Sequence, residues 1–289
     1  MIKIEKSTLY VVATPIGNLQ DITYRALEVL KEVDVILAED TRETGKLLAN
    51  LNIRTTQKLI SCHDFNESER IEQVKEFLND AQSIALVSDA GTPLISDPGY
   101  KIVNALRKED FNIVPIPGVS AVITALSVAG LPSDNFTFRG FLSAKKTKRQ
   151  QQLMEFKNYN STVILYESVH RIEYLLEDLV EVLADYDMVV AKELTKRFEE
   201  VVGGKPCVIK QYFVDNSDKV RGEFVVLIDC NSNAIASSSE INEDLLLEKL
   251  MQELPLKKAV KITTDLLKLK KNAVYEKALE LKDKQDTGA

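Results

Sequence analysis

The densest group of chemically useful residues in the chain is Ser88–Tyr100, with the sequence SDAGTPLISDPGY. It directly follows an apolar run, Ile84–Val87, that predicts a buried strand. Its two glycines let the backbone approach a ligand closely, and Asp89 can accept hydrogen bonds from hydroxyl or ammonium groups. Because open α/β sheets bind ligands outside the carboxyl ends of their strands, this stretch predicts a ligand-binding loop.

Three further stretches follow predicted strands in the same way: Thr14–Asn18 (TPIGN), Ala38–Arg42 (AEDTR) and Pro115–Ser120 (PIPGVS). The second supplies two carboxylates and a guanidinium, and the third precedes an apolar helix whose N-terminus would favour an anionic ligand. We therefore expect the four loops to meet at one edge of a sheet. None contains a GxGxxG, P-loop or GxSxG motif, which argues against a standard dinucleotide site, a kinase-type phosphate cradle and a serine-hydrolase elbow.

Short apolar runs alternate with amphipathic helical segments, which predicts an α/β fold with a mostly parallel sheet covered on both faces. The sequence LPSD at Leu131–Asp134 interrupts this regularity and predicts a domain boundary. The stretch 231–239, NSNAIASSS, predicts a flexible linker, and helical spacing resumes beyond it. We thus predict two α/β domains, residues 1–131 and 132–231, followed by a small, basic, helical tail domain at residues 240–289.

The 289-residue chain has a net charge of -7, which argues against bulk nucleic-acid binding, but its basic residues are concentrated in two segments. Residues 139–157 carry six basic residues and one acidic residue, and residues 255–284 carry nine lysines and four acidic residues. Such segments indicate either a specific polyanionic partner or solvated helix faces. The three cysteines lack CxxC spacing, so no disulfide framework and no metal site is predicted. We also expect no signal peptide and no membrane span.

Ten stretches together resemble one known family. In chain order they are TPIGNLQDITYRAL, AEDTR, ALVSDAGTPLISDPGY, PGVSAVITALSVAGLPSD, GFLSAK, YESVHR, AKELTK, RGEFVVLI, ELPLKKAV and KKNAVYEKALE. They resemble the tetrapyrrole methylase superfamily, and within it the branch of 16S ribosomal RNA (cytidine 2′-O-) methyltransferases. One departure is Ser143, where the branch is expected to have proline. The resemblance implies an enzyme with a cleft between two α/β domains, S-adenosylmethionine as cofactor, a homodimer and a cytoplasmic location. It also implies 16S rRNA as substrate. The acidic body with its two basic segments predicts a preference for RNA within the assembled 30S subunit over naked RNA.

The resemblance further implies the residues that contact the cofactor: Pro15, Ile16, Asp89, Ala90, Gly91, Thr92, Ser120, Ala121, Tyr166 and Leu194. A ribose hydroxyl must lose a proton when it is methylated, and carboxylates on the expected rim would suit that role: Glu39, Asp40 and Asp97. Basic side chains would suit contacts with RNA phosphates: Arg42, Lys145, Lys146, Lys148, Arg149 and Arg171.

Two other functions stay open at this point. One is a methylase acting on a corrinoid or porphyrinoid macrocycle, and the other is a ribosome-assembly factor that binds RNA and uses the cofactor only structurally. The basic segments and the SDAGTP form of the loop favour RNA over a macrocycle. The assembly factor and the RNA methyltransferase predict the same sequence features, because methyl transfer need not require a recognisable catalytic triad.

Overall fold

The computed structural model describes residues 3–54, 56–63, 65–231, 243–267 and 269–286. The chain forms two compact units, a body at Met1–Asn231 and a tail at Ser232–Ala289, and each is described by itself. The linker predicted at 231–239 lies, after its first residue, outside the described residues.

The first half of the body contains a five-stranded sheet in which every pairing is parallel, as the buried apolar runs predict. Its strands are β1 (Thr8–Val12), β2 (Val35–Ala38), β3 (Lys58–Ser61), β4 (Ile84–Val87) and β5 (Asn112–Ile116). They are arranged in the order β3-β2-β4-β1-β5. Both β2 and β4 are buried along their whole length, whereas Pro115, which has no N–H to donate, lies in the edge strand β5.

Five helices connect and follow these strands: α1 (Tyr24–Glu32), α2 (Thr41–Asn50), α3 (Glu67–Asn79), α4 (Tyr100–Lys108) and α5 (Ala121–Ala129). Local side chains fix where some of them begin. The Thr23 side chain accepts a hydrogen bond from the Ala26 N–H at the start of α1, and Asp40 accepts one from the Arg42 N–H at the start of α2. Because every strand of this sheet points the same way, the loops that lead into the helices lie at one edge.

The second half of the body contains a mixed sheet. Its strands are β6 (Phe136–Phe141), β7 (Thr162–Ser168), β8 (Met188–Lys192), β9 (Glu200–Gly204) and β10 (Glu223–Asp229), in the order β6-β7-β10-β8-β9. Only β6 and β7 pair in parallel, and the other pairings are antiparallel. Three helices complete it: α6 (Lys146–Glu155), α7 (Ile172–Val182) and α8 (Pro206–Asp215). The α/β fold class is confirmed, although the sequence patterns did not predict β9 and α8.

Helix α5 connects the two halves of the body through an apolar cluster. On α5, Val122, Ala125 and Leu126 are buried against Ile164 of β7 and Leu227 of β10. This packing holds the second sheet close to the carboxyl edge of the first sheet. The carboxyl edge of the first sheet and the part of the second sheet beside it therefore form a cleft. The two walls of this cleft come from different halves of the body.

Over residues 243–267 and 269–286, the tail forms three helices: α9 (Glu243–Glu253), α10 (Leu256–Leu267) and α11 (Lys271–Asp286). They share a small apolar core in which Leu247, Val260, Val274 and Ala278 are buried. The helical tail predicted from the spacing of its leucines is thus confirmed. Over the ranges that the structure describes, no helix combines the length and apolar composition needed to cross a membrane.

Candidate active site

A cavity of about 370 Å³ opens between the two halves of the body. One wall consists of loops that follow β1, β2 and β4, together with the start of α5. The other wall consists of residues from the ends of β6 and β7, the start of β10 and the segment after β8. The cavity thus lies at the carboxyl edge of the parallel sheet, where the sequence patterns predicted a ligand site.

Hydrogen bonds tie three of the four predicted loops together. The Thr14 N–H donates to the Gly91 carbonyl at 2.8 Å, and the Gly91 N–H donates to the Thr14 carbonyl at 3.1 Å. The Thr92 hydroxyl donates to the Val119 carbonyl at 2.9 Å. Gly91 has a φ of +87°, and a Cβ there would lie 3.3 Å from Ile16 Cγ2. Glycine is therefore suited to this position both by its backbone conformation and by the space available.

The loop after β2 is joined to the loop after β4 by a reciprocal pair of contacts between acidic residues. The Asp89 N–H donates to Glu39 Oε2 at 3.3 Å, and the Asp40 N–H donates to Asp89 Oδ1 at 3.1 Å. Desolvation raises the pKa of the Asp89 carboxyl, and the neighbouring charges of Asp40 and Glu43 raise it further. The side-chain hydrogen bonds from Arg42 hold the pKa of Asp40 well below its usual range. Asp89 lines the cavity, while the Asp40 carboxylate is engaged with Arg42.

The opposite wall is largely aromatic and apolar. Burial, followed by the nearby charge of Asp97, raises the pKa of Tyr166 to about 12. The Tyr166 ring contacts Phe138 edge-to-face at 4.9 Å between centroids and Phe141 at 5.7 Å. Leu194 is buried on the same wall. The cavity thus offers carboxylate acceptors on one side and flat, apolar contacts on the other.

A buried acidic residue also lies on this wall. Glu167 is 2% exposed, and burial raises the pKa of its carboxyl. Its Oε1 accepts a hydrogen bond from the Ser168 N–H at 2.9 Å, and its Oε2 lies 3.2 Å from Arg171 Nη2. The sequence patterns did not predict this ion pair. The position of Glu167 at the end of a strand could have indicated that it lies at the ligand site.

The structure brings most of the predicted cofactor residues to the cavity. Its lining includes nine of the ten: Ile16, Asp89, Ala90, Gly91, Thr92, Ser120, Ala121, Tyr166 and Leu194. Pro15 is not in the lining and precedes Ile16 in the loop after β1. Of the three carboxylates considered for proton transfer, Glu39 and Asp97 line the cavity and Asp40 does not. Phe141 and Glu223 also line it, and neither was predicted.

The predicted phosphate contacts differ in how accessible they are. Lys145 and Lys148 are exposed, and the Arg42 side chain is 84% exposed although it pairs with Asp40 at 2.6 Å. Lys146 is also exposed and lies 3.0 Å from Glu181. These four side chains remain candidates for phosphate contacts.

Two of the predicted phosphate contacts have structural partners instead. Arg149 is 4% exposed, and its Nε donates to Asp178 Oδ2 at 2.6 Å. The expectation of a surface arginine at 149 is therefore corrected, because one face of α6 turns this side chain into the protein. Arg171 is partly buried, and its Nη2 donates to the Leu142 carbonyl at 2.6 Å beside Glu167. Both guanidinium groups are used inside the body.

Comparison with known proteins agrees with this geometry. Residues 8–205 match the family model of Tetrapyrrole (Corrin/Porphyrin) Methylases, and residues 239–282 match the RsmI C-terminal HTH domain. The Ribosomal RNA small subunit methyltransferase I of Vibrio cholerae serotype O1 is 47% identical over 275 residues, which cover 94% of each chain. The enzyme of the same name from Escherichia coli O157:H7 is 46% identical, also over 94% of each chain. The chain belongs to the ribosomal RNA small subunit methyltransferase I branch of the tetrapyrrole methylases.

The fold of this methylase is also seen in solved structures of the family. The uroporphyrin-III C-methyltransferase of Thermus thermophilus, in complex with S-adenyl homocysteine, superposes with a TM-score of 0.51. That match covers 77% of this chain and 98% of the other at 17% identity, and it shows a shared fold. The two family models and the two relatives of 46–47% identity confirm the resemblance inferred from the ten sequence stretches, and the methylase is an enzyme of the methyltransferase class.

Proposed function

We propose that this methylase transfers a methyl group from S-adenosylmethionine to the 2′-hydroxyl of a cytidine in 16S ribosomal RNA, within the 30S subunit. The observation that carries the proposal is the 46–47% identity to ribosomal RNA small subunit methyltransferases I over 94% of the chain. The two further functions left open by the sequence, macrocycle methylation and RNA binding without catalysis, become outcomes of the test below.

The residues of the cavity fit this cofactor. Asp89 offers acceptor oxygens to hydroxyl or ammonium groups, and Gly91 lets the backbone approach a ligand. Ile16 and Leu194 provide apolar contact for a flat base, and Tyr166 offers a neutral hydroxyl group. S-adenosylmethionine supplies an activated sulfonium methyl group. The protein has to hold the acceptor oxygen in line with that methyl group and to exclude water.

The proton of the ribose hydroxyl needs an acceptor, and we propose Glu39 or Asp97 for it. Both line the cavity, whereas the carboxylate of Asp40 is held by Arg42 outside the lining. Glu39 already accepts the Asp89 N–H, so it is fixed in place beside the cofactor loop. A positioned carboxylate of this kind contributes by general base catalysis when it reaches the hydroxyl.

We further propose that RNA is bound by exposed lysines of the body and by the tail. Lys145 and Lys148 lie at the start of α6, which directly follows the strand that lines the cavity. The tail carries nine lysines in residues 255–284 and matches a helix-turn-helix domain model over 239–282. Phosphate contacts of this kind position a nucleic acid without reading its sequence.

The domain division, the oligomeric state and the location also belong to the proposal. We infer domains at residues 1–131, 132–231 and 240–289, with one cavity wall from each of the first two. We infer a homodimer in the cytoplasm, supported by apolar side chains that α5 leaves exposed, such as Ile123 and Val128. Light scattering coupled to size-exclusion chromatography tests the dimer, and a monomer at micromolar concentration would contradict it.

The decisive test is transfer of a tritiated methyl group to 30S subunits from a strain that lacks this gene. The RNA is digested, and label is sought in 2′-O-methylcytidine. We expect Asp89→Ala to abolish labelling and the matched control Asp80→Ala, at an exposed helix end, to leave it unchanged. Naked 16S rRNA is assayed beside the subunits, and equal rates on both would remove the 30S part of the proposal.

Two other results would overturn the proposal. Label in a supplied porphyrinoid with none in RNA would establish a macrocycle methylase. Tight binding of 30S subunits and of the cofactor without any transfer would establish an assembly factor.

A further inference from the structure

Phe141 is a large apolar side chain that the structure leaves accessible at the cavity. It is the last residue of β6, it lines the cavity, and 54% of it is exposed. Its ring meets Tyr166 edge-to-face, at 5.7 Å between centroids and an interplanar angle of 61°. Single exposed aromatic side chains are common on protein surfaces, but this one also lines a cavity, where its free face can contact a ligand.

A β-bulge directs this ring toward the cavity. The register between β6 and β7 shifts between Phe138 and Gly140, so that one residue of β6 has no partner on β7. In a regular strand residues three apart point to opposite faces, yet Phe138 and Phe141 both contact the Tyr166 ring. Gly140 has a φ of +62°, as one type of bulge requires, and a Cβ there would lie 3.1 Å from Ser96 Oγ.

Arg171, which is partly buried, and Arg149, which is buried, hold the segment that follows. Arg171 Nη2 donates to the carbonyl of Leu142 at 2.6 Å, directly after Phe141. Arg149 Nη1 donates to the carbonyl of Ala144 at 3.2 Å, and the Ser143 N–H donates to a side-chain oxygen of Gln152 at 2.9 Å. The backbone directly after Phe141 is therefore fixed by side chains, and the pairing of β6 with β7 fixes the backbone before it.

We propose that Phe141 is the surface on which the base of the target nucleotide stacks. Proteins recognise RNA mainly through unpaired nucleotides whose bases are splayed out and stacked on aromatic side chains. The exposed lysines at positions 145 and 148 follow within the next seven residues and suit the adjoining phosphates. Along the chain, Phe141 thus lies between a strand that ends at the cofactor cavity and a basic segment, an order that suits a residue on which a base stacks. The inference rests on the proposed RNA methylation.

The test compares four substitutions at Phe141 with one matched control. Phe141→Ala removes the ring, Phe141→Leu keeps an apolar side chain, and Phe141→Tyr and Phe141→Trp keep an aromatic face. Phe136→Ala is the control, because Phe136 is 40% exposed at the other end of the same strand and is not in the cavity lining. Methyl transfer to 30S subunits gives kcat and KM, calorimetry gives cofactor affinity, and filter retention gives 30S binding.

We expect Phe141→Ala and Phe141→Leu to lower kcat/KM for 30S subunits by roughly 5- to 150-fold, the range that loss of one stacked base produces. Both should leave the Kd for the cofactor within about twofold of the unsubstituted protein, since the inference gives the ring to the RNA base. Phe141→Tyr and Phe141→Trp should restore most of the activity, and Phe136→Ala should have no effect.

Three results would overturn the inference. They are full activity of Phe141→Leu, a loss of cofactor affinity as large as the loss of kcat/KM, and equal effects of Phe141→Ala and Phe136→Ala. These results differ from those expected if the proposed function itself is wrong. The unsubstituted protein would then transfer no methyl group to 30S subunits. In that case 30S binding still tests the stacking residue, since Phe141→Ala must weaken binding more than Phe136→Ala does.

Discussion

Replacing Asp178 with alanine should destabilise the body strongly, because it leaves a buried guanidinium without its counter-charge. The side chains of Arg149 and Asp178 are 5% and 1% exposed, and they meet at 2.6 Å. Asp178 also accepts a hydrogen bond from Gln150 Nε2 at 2.9 Å. Removing one partner of such a buried pair costs about 3–5 kcal/mol of unfolding free energy. For a unit of this size that corresponds to a fall in Tm of about 6–20 °C.

The assay is thermal and urea-induced unfolding, followed by circular dichroism, with Glu181→Ala as the control. Glu181 lies one turn further along α7, is exposed, and contacts the same Lys146 and Gln150, so its removal should change the unfolding midpoint little. A double variant, Arg149→Met with Asp178→Leu, should recover most of the lost stability, because it removes both charges and keeps apolar volume.

Two results would refute this account of Arg149. One is an Asp178→Ala protein as stable as Glu181→Ala. The other is an Arg149→Met protein of unchanged stability that binds RNA with a weaker salt dependence, which is what a phosphate contact gives. Lys148→Gln, by contrast, should behave as the loss of a phosphate contact. The slope of log K for RNA binding against log salt concentration should fall by about 1, and the unfolding midpoint should stay the same.

Three further predictions concern the cavity and the Arg42–Asp40 pair beside it. Gly91→Ala should weaken cofactor binding about tenfold by calorimetry, because a φ of +87° is strained for alanine and its Cβ would press on Ile16. Arg42→Ala should raise the pKa of Asp40 toward its ordinary value in a carboxyl NMR titration. Because that pKa is lowered in the folded protein, the stabilising effect of the pair is present at neutral pH and is lost as the pH falls through the lowered pKa. Tyr166→Phe should leave the shape of the pH–rate profile unchanged below pH 10, since the pKa of Tyr166 is raised to about 12.

The sequence predicted the loops of this site better than the side chains around it. Parallel strands have to end at one edge, so buried apolar runs followed by Gly- and Asp-rich loops were sufficient to predict where residues 14–18 and 88–92 would lie. Arg149 was assigned to the surface because a basic run does not show which face of its helix is buried. Its partner Asp178 lies 29 residues away, on another helix.

Strand β9 and the position of Phe141 were not predicted either, because both depend on pairing with a neighbouring strand. The sequence of β9, EVVGG, is short and ends in two glycines, and only its antiparallel pairing with β8 makes it a strand. Regular alternation along β6 would place Phe141 on the face opposite to Phe138. The bulge at Gly140 instead brings Phe141 to the same face as Phe138. A glycine in a strand predicts a bulge, but it does not show how the bulge shifts the pairing of the residues that follow.

The order of strands in the second sheet bears on how the protein is made. β10 is the last strand of the body in the sequence, yet it lies between β7 and β8 and pairs with both. A nascent chain that has not yet reached residue 223 therefore leaves one edge of β7 and one edge of β8 unpaired, and it lacks the cavity lining that β10 supplies. The body must then complete its second sheet after nearly all of it has been synthesised, and the methyl donor should stabilise only chains that include β10.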